Sequence, residues 1–240
     1  MTKVLSIFNN CTSTVVPLEA FAFIKDSKIK KMALAFYQSE KSLKESKPNY
    51  DVQMEVLGGN GLFNKFNRLK TYIQSYQPDV IHLHHYGSAF ITTLVCLLSF
   101  SKAKLIMTFH GEFGRHTWRN KLTYCFIGFF CTKIICNSKN TLKTIPKFLQ
   151  KKSVIIYNGV DAEKIKNAVG EKIIMDQFVV GSVGRLNSVK NYEELIKAFA
   201  IFQKTVPDSK LVFVGEGEER NTLQTQVKNS GILDKVVFKG

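Results

Sequence analysis

The feature that most constrains the fold is a regular alternation of short apolar runs with longer helical patterns. The runs that predict strands are 3–8, 32–37, 51–57, 79–84, 104–109, 133–137, 153–157, 177–183, 210–215 and 235–238. The helical patterns lie at 14–25, 62–76, 87–100, 119–130, 138–149, 191–205 and 218–230. Many of the strand runs are continuously apolar, which is typical of parallel strands buried on both faces. The alternation predicts an α/β fold with doubly wound parallel sheets, whose ligands bind at the carboxyl ends of the strands.

A polar, weakly periodic stretch divides the chain. It begins after VIIYNGVD, and we interpret residues 161–176 as a linker. The seven strands before it predict a complete Rossmann-like domain over 1–160, and the three after it predict part of a second over 177–240. A complete domain of this kind needs about 100–150 residues, so we expect the final strand to form an exposed sheet edge.

Charge and composition narrow the function classes. There are 34 Lys and Arg against 19 Asp and Glu, which gives a net charge of +15. This balance favours an acidic partner such as nucleic acid, an anionic membrane or a phosphorylated small molecule, although solvated surface lysines explain it equally well. No helix-turn-helix, RNA-recognition or zinc-finger pattern supports nucleic-acid binding.

The arrangement of the cysteines and the N-terminal sequence indicate a reducing compartment. The five cysteines form no C-x-x-C pair, and most lie in apolar runs, which predicts small buried side chains rather than disulfides or zinc ligands. No leader peptide is evident at the N-terminus, and the longest apolar run, 90–100, is too short to span a bilayer. We therefore expect a cytoplasmic location.

The segment 179–199, VVGSVGRLNSVKNYEELIKAF, carries the strongest chemical signal. A buried strand ends at Gly184, and the following turn presents Arg185 and Lys190 before a helix begins at Asn191. Two cations beside a helix N-terminus form a binding site for a diphosphate, because free amides and the helix dipole add to their charge. The alternative is a surface turn with two incidental cations.

A second turn follows the strand in LVFVGEGEER, 211–220. Gly215 and Gly217 permit close approach of the backbone to a ligand, but Arg220 occupies the place of the last glycine in a dinucleotide-binding fingerprint. The carboxylate of Glu216 and its acidic neighbours would repel a phosphate placed on this turn. We therefore expect the turn to border a neutral part of the ligand or to cap the helix.

Histidines end two of the predicted strands. His110 follows the apolar run LIMTF, where its ring can donate a proton or a hydrogen bond to a phosphate or a hydroxyl. The alternation in DVIHLHH places His82 and His84 on one face, but no carboxylate or cysteine lies close by in sequence to complete a metal site. No metal is predicted.

Aromatic and basic residues interleave in 116–130, HTWRNKLTYCFIGFF. Such a segment suits a helix that lies on an anionic membrane surface, and an ordinary helix with one buried aromatic face explains it equally well.

Six segments occur in the order typical of one family: DVIHLHHYGS, TFHG, KIICNSK, YNGVD, GRLNSVKN and VGEGEER. They cover nearly all of the chain after residue 79. On these residues the chain resembles the retaining GT-B glycosyltransferases of the large family that includes bacterial polysaccharide and phosphatidylinositol mannosyltransferases.

The resemblance implies a nucleotide-sugar donor bound between two Rossmann-like domains, the N-terminal one facing the acceptor. It assigns catalytic roles to His110, Arg185 and Lys190 and donor binding to Gly184, Arg185, Lys190, Asn191, Gly215 and Glu216. Arg185 and Lys190 would stabilise the charge that develops on the diphosphate, so neither a metal nor another cofactor is expected. The implied acceptor is a polysaccharide or polyprenyl-linked glycan, reached by peripheral contact with the inner face of the membrane.

Two departures from the family pattern affect the expected activity. The segment NNCTSTVVP, 9–17, has no glycine where the family has a glycine-rich loop. The family's Glu–seven residues–Glu motif comes later than VGEGEER in the family pattern, at a position beyond Gly240, so we expect a truncated chain of impaired or absent activity. Alternatives are a non-catalytic binding or scaffold remnant and a GT-B sugar-nucleotide epimerase.

Overall fold

The computed structural model describes residues 1–11, 16–46, 50–160, 162–168 and 177–240. The chain divides into two compact units, Met1–Asp161 and Ala162–Gly240. Each unit contains a parallel sheet with helices, as the sequence predicts, and each is described by itself.

The first unit contains a seven-stranded parallel sheet. Its strands are β1 (Thr2–Phe8), β2 (Ile29–Ala35), β3 (Gln53–Val56), β4 (Val80–Leu83), β5 (Lys104–Phe109), β6 (Lys133–Cys136) and β7 (Ser153–Ile155). Their order across the sheet is β3-β2-β1-β4-β5-β6-β7. Strand β1 therefore lies inside the sheet. Strands β2 and β3 follow on one side of β1, and β4 to β7 follow on its other side.

Helices connect the strands of this unit. They are α1 (Val16–Ala22), α2 (Glu40–Ser46), α3 (Leu62–Tyr76), α4 (Tyr86–Leu98), α5 (Trp118–Phe130), α6 (Lys139–Thr144) and α7 (Lys147–Gln150). Helix α4 packs against both α3 and α5. The central strands bury more than half of their side chains, including Leu5, Ile7, Ile81 and Leu83, as apolar parallel strands do when helices cover both faces.

Three element predictions in this unit were wrong in detail. The pattern at 138–149 is two helices rather than one, because Pro146 has no amide hydrogen to continue α6. Strand β2 begins at Ile29, three residues earlier than predicted, since Lys30 and Lys31 obscured its start. Helix α2 was missed because its sequence, EKSLKES, has a single apolar residue. Of the glycine-free segment 9–17, residues 12–15 lie outside the described residues.

The second unit consists of α8 (Ala162–Ala168), β8 (Phe178–Val183), α9 (Tyr192–Thr205), β9 (Ser209–Val214), α10 (Arg220–Asn229) and β10 (Val236–Lys239). The strand order is β10-β9-β8 and all pairs are parallel. Strand β10 forms one edge of this sheet, as expected. Its core includes Ile196, Phe199, Phe213, Leu223 and Val227.

The predicted linker is not wholly irregular. Its first part, AEKIKNA, forms α8, because these residues are mostly strong helix formers. Residues 161 and 169–176 lie outside the described residues.

Candidate functional site

The first unit brings His82, His84 and His110 together in a histidine cluster at the point where the strand order reverses. Strands β1 and β4 are neighbours in the sheet although 71 residues separate Phe8 from Val80, and Ser6 pairs in register with His82. Ligands of open parallel sheets bind at such a switch point, beyond the carboxyl ends of the strands. His84 follows β4 and His110 follows the adjacent β5, so both lie at this edge.

His84 occupies the centre of the cluster. Its Nε2 lies 2.9 Å from Ser6 Oγ, and its Nδ1 lies 3.1 Å from Nε2 of His110. Its ring stacks on Phe8 with 4.5 Å between centroids and lies 4.1 Å from the ring of His82. The close ring contact confirms the prediction that His82 and His84 share a face. Because both ring nitrogens of His84 have partners, the orientation of this buried ring is fixed.

Burial makes the cluster neutral. Desolvation lowers the pKa of His82 to about 4, aided by the nearby His110, and lowers the pKa of His110 to about 4, aided by His85. Burial also lowers the pKa of His84 well below its usual value, and the neighbouring imidazoles act in the same direction. At neutral pH these rings therefore carry no charge, and each offers one N–H donor and one bare nitrogen.

The described residues include no group of three His, Cys, Asp or Glu side chains placed to hold a metal ion together. The hydrogen bonds of His82, His84 and His110 explain why these three rings do not converge on a metal ion. Nε2 of His82 lies 2.7 Å from Thr108 Oγ1, and both nitrogens of His84 are engaged.

Two cavities border His110. One, of about 210 Å³, is lined by His82, His84 and Thr108 together with Ile156, Tyr157 and Asn158. The other, of about 330 Å³, is polar and includes Arg115, Asn137 and Asn140. Asn137 also donates its Nδ2 to the carbonyl oxygen of His110 over 3.0 Å, which fixes the backbone that carries the ring. His110 is thus held on two sides and faces space for a ligand.

In the second unit, two glycine-containing turns pack against each other. The amide of Gly184 donates to the carbonyl of Val214 over 3.0 Å, and the amide of Leu186 donates to that of Glu216 over 2.9 Å. A Cβ on Gly215, whose φ is 137°, would overlap the carbonyl oxygen of Gly184, and one on Gly217 would overlap that of Leu186. The structure therefore gives both glycines of the second turn a packing role that the sequence did not reveal.

Two carboxylates of the second turn, Glu216 and Glu218, have cationic partners. Arg185 Nη2 lies 3.4 Å from Glu218 Oε2, and both side chains are exposed. Arg220 forms an ion pair with Glu216 and donates to the carbonyl of Phe238. The acidic turn is therefore largely neutralised within the unit.

Lys190 differs from Arg185 because no carboxylate of the described residues lies within ion-pair distance of it. Its Nζ lies about 4.0 Å from the position that a Cβ of Gly184 would occupy, and the Tyr192 hydroxyl borders the same position at 2.9 Å. Asn191 begins α9 in the left-handed conformation, and its side chain does not cap the helix. An uncompensated cation therefore lies beside the end of β8 and the start of α9, where the first-turn amides lack intrahelical acceptors.

The structure brings the predicted donor residues of the second unit together in these two turns. They are Gly184, Arg185, Lys190, Asn191, Gly215 and Glu216, and their roles in binding stay predictions. His110 belongs to the histidine cluster of the first unit. The sequence did not indicate Ser6, the pairing of Glu218 with Arg185, or a role for Asn137, although Asn137 lies in the family segment KIICNSK. Only the fold brings Ser6 beside His84, Asn137 beside His110 and Glu218 beside Arg185.

Helix α5 has an apolar stripe that faces solvent. Trp118, Leu122 and Phe129 are 66%, 61% and 67% exposed, and their spacing of four and seven residues places them on one helix face. The guanidinium of Arg119 lies 5.4 Å from the Trp118 ring. Tyr124 and Ile127 are buried on another face. The helix therefore buries one apolar face and exposes a second beside basic residues.

Comparison with known proteins gives the class of this chain. Residues 55–164 match the family described as Glycosyltransferase Family 4, and residues 161–240 match Glycosyl transferases group 1. The structure of Anabaena HepE in complex with UDP-glucose superposes with a TM-score of 0.75 at 17% identity, over 100% of this chain and 69% of that one. The chain belongs to the glycosyltransferases with the GT-B fold.

Two curated relatives are closer in sequence. One is an N-acetylgalactosamine-N,N'-diacetylbacillosaminyl-diphospho-undecaprenol 4-alpha-N-acetylgalactosaminyltransferase of Campylobacter jejuni, 27% identical over 81% of this chain and 44% of its own length. The other is a UDP-Gal:alpha-D-GlcNAc-diphosphoundecaprenol alpha-1,3-galactosyltransferase of Escherichia coli, 31% identical over 65% of this chain and 45% of its own. The chain spans about half the length of these relatives.

Proposed function

We propose that this chain supplies the acceptor-side domain and part of the donor site of a glycosyltransferase. The enzyme transfers a sugar from a nucleotide-sugar to a lipid-linked or polysaccharide acceptor. The observation that carries the proposal is the uncompensated ammonium of Lys190 beside Gly184 and the start of α9. An ammonium and free helix amides together favour a diphosphate. Arg185 adds a second cation, because an exposed ion pair such as Arg185–Glu218 contributes only about 0–1 kcal/mol and is readily exchanged.

The proposal includes retention of anomeric configuration and transfer without a metal. Two fixed cations at the leaving diphosphate do the work that a divalent metal does elsewhere. The product's anomeric configuration, read by NMR, tests retention, and full turnover in the presence of EDTA tests metal independence.

Binding of a nucleoside diphosphate to the 240-residue chain tests the donor site. Calorimetry with UDP and GDP should show that Lys190→Ala weakens binding at least about tenfold, because a charge-assisted hydrogen bond to phosphate contributes about 1.5–3 kcal/mol. Lys228→Ala, an equal charge change on exposed α10, should bind like the wild type. Equal affinities of Lys190→Ala and the wild type would overturn the proposed donor site.

We further propose that the chain binds the membrane surface through α5, at the cytoplasmic leaflet. No helix among the described residues is long and apolar enough to cross a bilayer. The exposed stripe of Trp118, Leu122 and Phe129 supports contact with the headgroup region, where aromatic side chains are favoured. Arg119 and Lys121 on the same helix, with the net charge of +15, favour anionic lipids. An enzyme on the membrane surface has access to lipid-linked diphosphate acceptors. The names of the two curated relatives contain acceptors of this type.

Co-sedimentation with vesicles tests the membrane contact. The wild type should bind vesicles containing phosphatidylglycerol, and binding should fall with added salt and be weak on pure phosphatidylcholine. Leu122→Ser should reduce binding severalfold, whereas Ile201→Ser, which alters an equally exposed aliphatic residue on α9, should not. Equal losses for both variants would argue against α5 as the contact.

Two alternatives have clear tests. A sugar-nucleotide epimerase would convert the donor with no acceptor added. A non-catalytic scaffold would bind no nucleotide in the calorimetric experiment.

A further inference from the structure

A buried chain of hydrogen bonds runs from Ser6 through His84 to His110 in the first unit. Ser6 is fully buried, and His84 is nearly so. The two links measure 2.9 Å and 3.1 Å. Among the described residues no carboxylate bonds to either ring, so nothing stabilises an imidazolium here.

Two proton arrangements are compatible with these links, because each neutral imidazole carries one ring proton. In the first, Ser6 donates to His84 Nε2, and His84 Nδ1–H donates to His110 Nε2. In the second, both links reverse, so that His84 Nε2–H donates to Ser6 Oγ and His110 Nε2–H donates to His84 Nδ1. The first leaves His110 with a proton on Nδ1, and the second leaves that nitrogen bare.

Burial of Ser6 selects between the two arrangements. Within the described part of the chain, the Ser6 hydroxyl has no hydrogen-bond partner other than His84. In the second arrangement its proton would therefore be a buried donor without an acceptor, which costs about 1–3 kcal/mol. In the first arrangement the Ser6 hydroxyl donates its proton to His84 Nε2, and only a lone pair of the Ser6 oxygen lacks a partner. A penalty near the middle of that range corresponds to roughly a tenfold preference or more.

We infer that Ser6 and His84 are positioning residues that hold His110 as the Nδ1–H tautomer, so that His110 offers its ligand a neutral N–H donor. Nε2 of His110 is occupied by His84, so Nδ1 is the ring nitrogen left to meet a ligand oxygen. That oxygen belongs to a sugar hydroxyl or a phosphate, an identification that rests on the proposed function. His110 then binds and orients its ligand and does not act as a general base, since its bare nitrogen is already taken.

The tautomer is measurable directly in the 240-residue chain. The chain has five histidines, so ¹⁵N-histidine labelling gives a readable long-range proton–nitrogen spectrum, and single substitutions assign it. A protonated ring nitrogen resonates upfield of a bare one. At neutral pH we expect both His84 and His110 to carry the proton on Nδ1, in at least about tenfold excess. Protonation of His110 on Nε2 in the wild type would overturn the inference.

Substitutions separate the hydrogen-bond role from mere packing. His84→Asn keeps an N–H donor near the position of Nδ1 and should preserve the His110 tautomer. His84→Leu keeps bulk without a donor and should allow His110 to shift toward Nε2–H. Ser6→Ala should weaken the preference in both rings, because Nε2 of His84 then lacks a partner whether or not it carries the proton. An unchanged His110 in His84→Leu would refute the role of His84.

The wild-type and His84→Asn spectra decide the question even if His84→Leu does not fold. The tautomer is read without ligand, so its result is independent of the nucleotide-binding test of Lys190. Either proposal can fail while the other stands.

Discussion

Lowering the pH from 7 to 5 should destabilise the first unit through its neutral histidines. Burial lowers the pKa of both His82 and His110 to about 4 from 6.5. Between these values the unfolded chain binds protons that the folded chain does not. The free energy of unfolding therefore falls as the pH drops below 6.5, and the loss is complete below about pH 4. At pH 5 each ring contributes a loss of about 2 kcal/mol, so the pair contributes about 4 kcal/mol.

Urea unfolding followed by tryptophan fluorescence measures this loss. The only tryptophan, Trp118, lies in the first unit, so the signal reports that unit. With a slope of about 2 kcal/mol per molar urea, the midpoint should fall by at least about 2 M between pH 7 and pH 5, because the buried His84 adds to the loss from the pair.

Two glutamine variants control this experiment. His82→Gln should remove about 2 kcal/mol of the loss, whereas His116→Gln, which alters a histidine outside the cluster, should retain most of the loss. Equal midpoints at the two pH values, or an unchanged drop in His82→Gln, would refute the idea that buried neutral imidazoles control the pH response.

The two turns of the second unit give further predictions. Glu218→Gln should tighten UDP binding about two- to fivefold in calorimetry by releasing Arg185, since the exposed pair contributes about 0–1 kcal/mol. Glu219→Gln makes the same charge change, but Glu219 forms no ion pair with Arg185 in the described residues, so it should leave UDP binding unchanged. An equal gain in affinity for both variants would indicate only a general effect of the added positive charge. Gly217→Ala should lower the stability of the second unit by about 1–3 kcal/mol, because its Cβ would overlap a backbone carbonyl. Hydrogen exchange measures this loss of stability. Gly181→Ala is the control, because a Cβ at that position meets nothing within 4 Å. An equal loss of stability in both variants would show that the contact between the turns is unimportant.

The strands were predictable because burial on both faces leaves a strong apolar signal. All ten were located within a few residues, and His110 was correctly placed at the end of β5. Helix α2 was not predictable, since its stripe of apolar residues is too thin to distinguish it from a loop. The break between α6 and α7 is predictable from Pro146 alone, because proline has no amide hydrogen to continue a helix.

The environment of the site residues was much less predictable. The Ser6–His84 link joins residues 78 positions apart, and no local pattern indicates which strands become neighbours. The glycines at 215 and 217 were attributed to approach by a ligand, but they also permit contact between two turns. Spacing along the chain identifies the residues that end a strand, whereas their partners depend on the order of strands across the sheet.

That strand order affects how the protein can fold during synthesis. Strand β1 lies between β2 and β4, so one of its sides is complete only after Val80 has been made. At roughly 5–20 residues per second, about 4–14 s pass between synthesis of Phe8 and of β4. During that interval one row of amides and carbonyls on β1 has no strand partner. A nascent chain stalled in this window should therefore present β1 as an apolar strand with an unpaired backbone edge, which chaperones bind.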